Sequence, residues 1–204
     1  VYQIEDYRFS VLSPRIIRVE KDKKHIFTDE ATQTVICRDF DRPEFSILQS
    51  GGKIVIKTED ITFCFDLAKG ETESITLKDG RVVTDFKTGN LKGTYRTLDM
   101  ANGAVKLGDG LMSTNGVSVV DDSKTVIICA DGTMKARRHV QKDEYYFAFG
   151  NDYRGCLQDF FKLCGAVPLV PRFCLGNWWS RYKAYSQQEY IDLMKEFLER
   201  DIPI

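Results

Sequence analysis

From residue 7 to about residue 150, apolar and polar side chains alternate in short runs separated by turn residues, the pattern of antiparallel β-strands. In "ITFCFDL", Ile61, Phe63 and Phe65 fall on one face while Thr62, Cys64 and Asp66 fall on the other, which predicts a half-buried strand. "YRFSVLS" and "RIIRVEK" form a pair around Ser13-Pro14. "FSILQ" and "KIVIKT" are separated by Ser50-Gly51-Gly52, where glycine supplies the positive φ of a tight hairpin. Asp79-Gly80 joins "SITLK" to "RVVTDF", and Asp121-Asp122-Ser123-Lys124 is expected to join "VSVV" to "TVIICA" as a further hairpin. On this reading the acidic pairs Asp121-Asp122 and Asp143-Glu144 are solvated turn residues.

Residues 87–116 break the strand pattern. This glycine-rich stretch also carries Tyr95, Leu98, Met100, Leu107, Leu111 and Met112, which need cover, so an ordered excursion is expected rather than disorder. After "DEYYFAFGN" the period changes to that of a helix. Residues 152–164 carry Leu157, Phe160, Phe161 and Cys164 at helical spacing, with Asp152 as N-cap and Gly165 beyond the end. "PLVP", with Pro168 and Pro171, then reads as a stiff linker. Beyond it "RFCLGNW" is expected to be a short strand, and Ser186 with Glu189 forms a capping box opening the helix "QQEYIDLMKEFLER". Tyr190, Leu193, Met194, Phe197 and Leu198 are its apolar stripe, and "DIPI" is expected to lead into another strand. The organisation predicted is a β-sandwich domain over residues 1–167 with a helix at 152–164, then a linker and one incomplete β/α unit over 168–204. A lone parallel strand and an uncovered helix face are unstable, so this unit is expected to belong to a larger α/β domain or to self-associate through its helix.

Composition narrows the function classes. With 204 residues, 43% of them hydrophobic and 29% charged, the chain has enough apolar surface for a core. The balance of 29 basic and 30 acidic side chains argues against a nucleic-acid partner. Apolar runs far shorter than the roughly 20 residues of a membrane span argue against a membrane, and the lack of a secretory pattern in "VYQIEDYRFS", with the unpaired cysteines, points to a cytoplasmic protein. The six cysteines sit singly and are expected to be reduced. No C-x-x-C pair accompanies them, and nothing calls for a metal or an organic cofactor.

Several long segments, in order, carry a resemblance: "DEATQTVICRDFDRPEF", "GNLKGTYRTLD", "GLMSTNGVSVVDDS" and "YYFAFGNDYRGCLQDFFKLCGAVPLVPRFCLGNWWSRYKAYS". With the helix that follows, they resemble the N-terminal part of glycoside hydrolase family 31, the α-glucosidase and α-xylosidase family. The resemblance implies a mainly β fold: a galactose-mutarotase-like sandwich, then a helix, a proline linker and the first β/α unit of a truncated (β/α)8 barrel. It implies a retaining α-glycosidase as the parent protein, acting on α-glycosides or oligosaccharides. Two carboxyl groups about 5–5.5 Å apart would work through a covalent glycosyl-enzyme. In that family both are aspartates on later barrel strands, the nucleophile in a Trp-x-Asp type motif that this chain does not contain. The chain alone is therefore expected to be inactive, with no catalytic residue of its own, and to need the missing barrel as its partner.

Barrel active sites lie at the C-terminal ends of the strands. The residues after "FCLGN" thereby become candidates for substrate binding: Trp178 and Trp179 through ring faces, Arg181 and Tyr182 through hydrogen bonds. The same resemblance makes residues 87–116 a loop onto the active-site face, with Arg96 and Asp99 toward the sugar. The alternative for the chain is a stand-alone carbohydrate-binding or partner-docking sandwich.

Overall fold

The alternating runs become two five-stranded antiparallel sheets in the computed structural model, which describes residues 1–97, 99–137 and 142–204. The strands are β1 (Tyr2–Ile4), β2 (Tyr7–Ser13), β3 (Ile16–Lys21), β4 (Ser46–Ser50), β5 (Lys53–Lys57) and β6 (Ile61–Asp66). Further along are β7 (Glu71–Leu77), β8 (Val82–Val83), β9 (Val117–Asp121), β10 (Ile127–Ile128), β11 (Met134–Lys135) and β12 (Lys142–Ala148). One sheet runs β1-β2-β3-β12-β9, the other β4-β5-β6-β7-β8, and β10 and β11 pair with each other. Two helices follow, α1 (Tyr153–Cys164) and α2 (Gln187–Glu199).

The sandwich core lies between the two sheets. Tyr7, Phe9, Ile17 and Val19 from β2 and β3 meet Ile54, Ile56, Phe63, Phe65 and Ile75 from the opposing sheet. Edge-on contacts of Tyr7 and Phe9 with Phe65, each with ring centroids 5.0 Å apart, join the layers. The β6 alternation survives intact, with Ile61, Phe63 and Phe65 buried and the residues between them half-buried. At the β4–β5 turn Gly51 and Gly52 both take positive φ, 58° and 75°, as a two-residue hairpin of the primed type requires.

Strands β2, β3 and β12 differ from β6 because both of their faces are covered. Behind them a second core gathers Leu12, Ile16, Val35, Phe40, Tyr145, Phe147 and Phe149 with Cys156 and Leu163 of α1. Helix α1 starts where expected, the Asp152 carboxylate accepting from the Gly155 N–H at 2.9 Å, and gives way to Gly165 at φ 88°. Its buried residues are Gly155, Cys156 and Leu163, whereas Leu157 and Phe161 of the expected stripe stay partly exposed, so the buried face is turned by one position. Arg15, in the β2–β3 turn, holds the helix by ion pairs to Asp152 (2.7 Å) and Asp159 (2.8 Å). Gly155 has no room for a side chain, since a Cβ there would meet Asp152 Oδ2 and Arg15 Nη2.

Two expectations are corrected. Val117–Asp121 does not form a hairpin with "TVIICA"; it pairs with β12 instead, Tyr145 opposite Val120 and Phe147 opposite Ser118. Ile127 bridges to Thr32, and Ile128 N–H donates to Ala31 O at 2.8 Å. Residues 172–175, expected as a strand, form a 3₁₀ turn instead. A parallel strand needs neighbours to satisfy its backbone, and among the described residues this segment pairs with none.

The chain divides into two compact units, Val1–Ala166 and Val167–Ile204. In the second, Ser186 and Glu189 make the full capping box of α2. No helix among the described residues is long and apolar enough to cross a membrane. All six cysteines are unpaired thiols, Cys156 buried and the others half-buried.

Candidate functional site: an excursion, an aromatic segment and a buried charge network

The glycine-rich stretch leaves the sandwich as an irregular two-stranded arm. Asn90 bridges to Ser113 and Gly93 to Gly108, and Leu91 N–H donates to Met112 O at 2.8 Å. The Asn90 carboxamide accepts from Gly110 N–H and donates to Gly110 O, each at 2.8 Å, and Lys92 pairs with Asp109. Tyr95 lies across the arm so closely that a Cβ on Gly108 would come within 2.6 Å of its ring. The root is fixed more firmly. A Cβ on Gly116 would stand 2.6 Å from Gly150 Cα, and Asn115 Nδ2 donates to Asp85 O and Thr88 O.

The arm's candidate residues sit at its exposed tip. The Arg96 guanidinium donates to Thr97 O at 3.0 Å and to Asp99 O at 3.3 Å, and Asp99 is exposed beside Met100. Leu111 and Met112 find cover against the second core, whereas Tyr95, Met100 and Leu107 are exposed. Leu98 lies outside the described residues.

In the second unit the two adjacent tryptophans separate. Trp179 packs into an aromatic group, its ring 5.5 Å from Phe197, 6.1 Å from Tyr185 and 6.4 Å from Tyr190, so it ties the connecting segment to α2. Trp178 stays 74% exposed, and its indole N–H donates to Cys174 O at 3.0 Å. That bond fixes the ring while leaving its surface open. Arg181 and Tyr182 are exposed on the same segment. Of the four candidates here, three are thus available to a ligand and Trp179 serves packing.

The largest polar feature among the described residues of the first unit was not legible from pattern. On the α1-facing side of the central sheet, four arginines and four carboxylates form a chain of ion pairs. Arg8 binds Glu20 at 2.5 Å and Asp29 at 2.6 Å, and Arg18 binds Asp29 at 2.6 Å and Asp143 at 2.7 Å. Arg137 bridges Asp143 at 2.7 Å and Asp122 at 2.6 Å, and Arg38 reaches Asp122 at 3.6 Å and the Tyr145 hydroxyl at 2.7 Å. Asp122 and Asp143 are 0% and 1% exposed, which overturns their reading as solvated turn residues. Burial works against the Arg18 charge, yet hydrogen bonding and attraction from Asp143, with help from Glu20, hold its pKa above the ordinary value. Burial likewise pushes the Asp143 carboxyl up, but Arg18 and Arg137 outweigh it and keep the group below its usual range. Four positive and four negative groups spent on one another make a lock between β2, β3, β12 and the segments at 28–38 and 122–137. The pairing offers little for a substrate. One signal for it exists in the sequence: Arg8 and Arg18 occur mid-strand, and the register sets Arg8 opposite Glu20.

Similarity to known proteins complements this geometry. No protein-family model matches the chain. An α-xylosidase of Saccharolobus solfataricus is 28% identical over 102 residues, 46% of this chain and 13% of that enzyme. An α-glucosidase 2 of Bacillus thermoamyloliquefaciens is 34% identical over 61 residues, 30% of this chain and 8% of that enzyme. Among solved structures, a GH31 dextranase of Flavobacterium johnsoniae complexed with glucose aligns at TM-score 0.55 and 16% identity, covering 95% of this chain and 30% of its own. A GH31 α-xylosidase from a soil metagenome complexed with xylose aligns at TM-score 0.58 and 12% identity, covering 100% of this chain and 39% of its own. The chain thus spans well under half the length of the proteins it matches. It is a mainly β protein built on antiparallel sheets, with the fold of part of these hydrolases. The sequence matches are to an α-xylosidase and an α-glucosidase, and the structural neighbours are GH31 enzymes, part of whose fold this chain shares.

Proposed function

We propose that this chain is the N-terminal portion of a retaining α-glycosidase acting on α-linked glucosides or related sugars. The first unit is then the sandwich domain, and the second is the linker and opening β/α step of the catalytic barrel. The reading rests on one observation above the others: family 31 enzymes align with 95% to 100% of this chain but only 30% to 39% of their own. In this role the fragment scaffolds the barrel. From the second unit it adds Trp178, Arg181 and Tyr182 as sugar contacts, with Trp179 holding the segment that carries Trp178, and the candidates of the first unit are Arg96 and Asp99 on the excursion. On this reading the catalytic aspartates belong to a part of the parent protein that this chain does not carry.

The test is to express the reading frame through its natural stop and assay release from aryl α-glucosides and α-xylosides beside the 204-residue chain. Activity with retained anomeric configuration in the long form, and none in the short, is the expected result. Hydrolysis by the short chain, or a frame that ends without a Trp-x-Asp motif, overturns it. In the active long form, Trp178→Ala and Asp99→Ala are each expected to raise KM roughly tenfold, the loss of one good contact, with a smaller change in kcat.

The exposed ring of Trp178 and the exposed Tyr182 favour a second reading, a carbohydrate-binding module. Calorimetric titration of the 204-residue chain with maltose or isomaltose separates the two, because the scaffold is expected to give no heat.

A further inference from the structure

The dipeptide Asn-Gly occurs twice in the sequence, both times in the excursion, as Asn102-Gly103 and Asn115-Gly116. Glycine leaves the following amide nitrogen unshielded by a Cβ, so both pairs have the same intrinsic chemistry. Their surroundings differ. Asn115 is half-buried, its Nδ2 donates to Asp85 O at 3.3 Å and Thr88 O at 2.8 Å, and Gly116 N–H donates to Ser113 O at 3.3 Å. Gly116 O accepts from Phe149 N–H and Gly150 N–H, both at 2.9 Å, and the residue presses on the Gly150 backbone. Asn102 and Gly103 are exposed, make no hydrogen bond among the described residues, and have open space where a Gly103 Cβ would stand.

We propose that Asn102 is a site of spontaneous deamidation and that the fold protects Asn115 from the same reaction. The Gly103 amide nitrogen, deprotonated by hydroxide, attacks Asn102 Cγ. The N–Cγ bond forms, the Cγ–Nδ2 bond breaks, and the leaving nitrogen takes a proton from water and departs as ammonia. Water then opens the five-membered imide at either carbonyl, giving an aspartyl or an isoaspartyl linkage, so the net change is amide plus water to acid plus ammonia. Bringing Cγ onto the nitrogen requires rotation about the Asn backbone and side chain. At exposed Asn102 that rotation breaks no hydrogen bond among the described residues, whereas at Asn115 it breaks both carboxamide bonds and lifts Gly116 off Gly150. The product adds a negative charge to the tip that carries Arg96 and Asp99.

Trypsin separates the two sites into peptides 97–106 and 107–124. The whole chain is incubated folded, in mildly alkaline buffer made with ¹⁸O-labelled water, and in parallel in denaturant, then digested and read by mass spectrometry. In the folded chain, peptide 97–106 is expected to convert at least roughly tenfold faster than 107–124, the factor set by the two carboxamide bonds that must break. In denaturant the two rates are expected to converge. Equal rates in the folded chain, faster conversion of 107–124, or an unmodified 97–106 after its denatured counterpart has converted would each overturn the assignment.

Discussion

Protonating Asp143 would take one ion pair from each of two arginines at once, leaving Arg18 to Asp29 and Glu20 and Arg137 to Asp122. Asp143 and Asp29 have pKa values held down in the fold; burial opposes the shift in each, and Arg18 with Arg137, or Arg8 with Arg18, outweighs it. Their contribution to stability is therefore complete above the unfolded carboxylate value near 3.9 and is lost as pH falls through the lower folded values. Glu20, raised by burial against the pull of Arg8 and Arg18, works in the opposite sense. A net fall in urea midpoint below about pH 4 is expected, since the two lowered groups outnumber the raised one. Asp143→Ala at neutral pH strands buried guanidinium charge and is expected to cost about 3–5 kcal/mol in a denaturant titration. Replacing the buried charges of this ion-pair chain by apolar groups of similar volume need not cost as much, because matched buried charges carry their own desolvation penalty, whereas Asp29 is largely exposed. These residues are hard to see in a sequence because strand alternation assigns Arg8, Arg18 and Glu20 to a polar face, and polarity alone does not say whether water or another carboxylate faces it.

At the scale of elements, what was legible is what is local. The β4–β5 turn, the Asp152 and Ser186 caps and the β6 alternation each depend on a few adjacent residues, and each is where the pattern put it. The pairing of β9 with β12 spans more than 20 residues of chain, and no local signal distinguishes it from a hairpin with the next apolar run. The 3₁₀ turn at 172–175 fails as a strand for the same reason: strand formation is a property of neighbours. Among the candidate site residues, the exposure of Trp178 beside the packing of Trp179 was not legible, since adjacent identical residues differ in what Tyr185 and α2 bring to one of them. Trp179→Ala is expected to cost about 3 kcal/mol or more and to lower α2 helicity by circular dichroism, while Trp178→Ala stays within about 0.5 kcal/mol. Asp152→Ala removes both a cap and a partner of Arg15 and is expected to lower stability by about 1–2 kcal/mol in thermal or urea melts.

Over the whole molecule, two units of unlike character share one chain. The first has a core on each side of its central sheet, and the second leaves Leu169, Phe173, Leu175 and Leu198 exposed. Exposed apolar groups in that density are expected to make the 204-residue chain associate with rising concentration, and sedimentation velocity across a concentration series checks it. Gly116, set against Gly150, has one more implication. Because the arm is bolted at its base and bridged as far as Gly93 and Gly108, the residues beyond those bridges form a graftable cassette. Exchanging that cassette for one of another length, with Tyr95 kept across Gly108, should alter mainly the entropy of closing the loop, about 0.6 kcal/mol for each doubling. New recognition chemistry can therefore be installed there without renegotiating the sandwich that carries it.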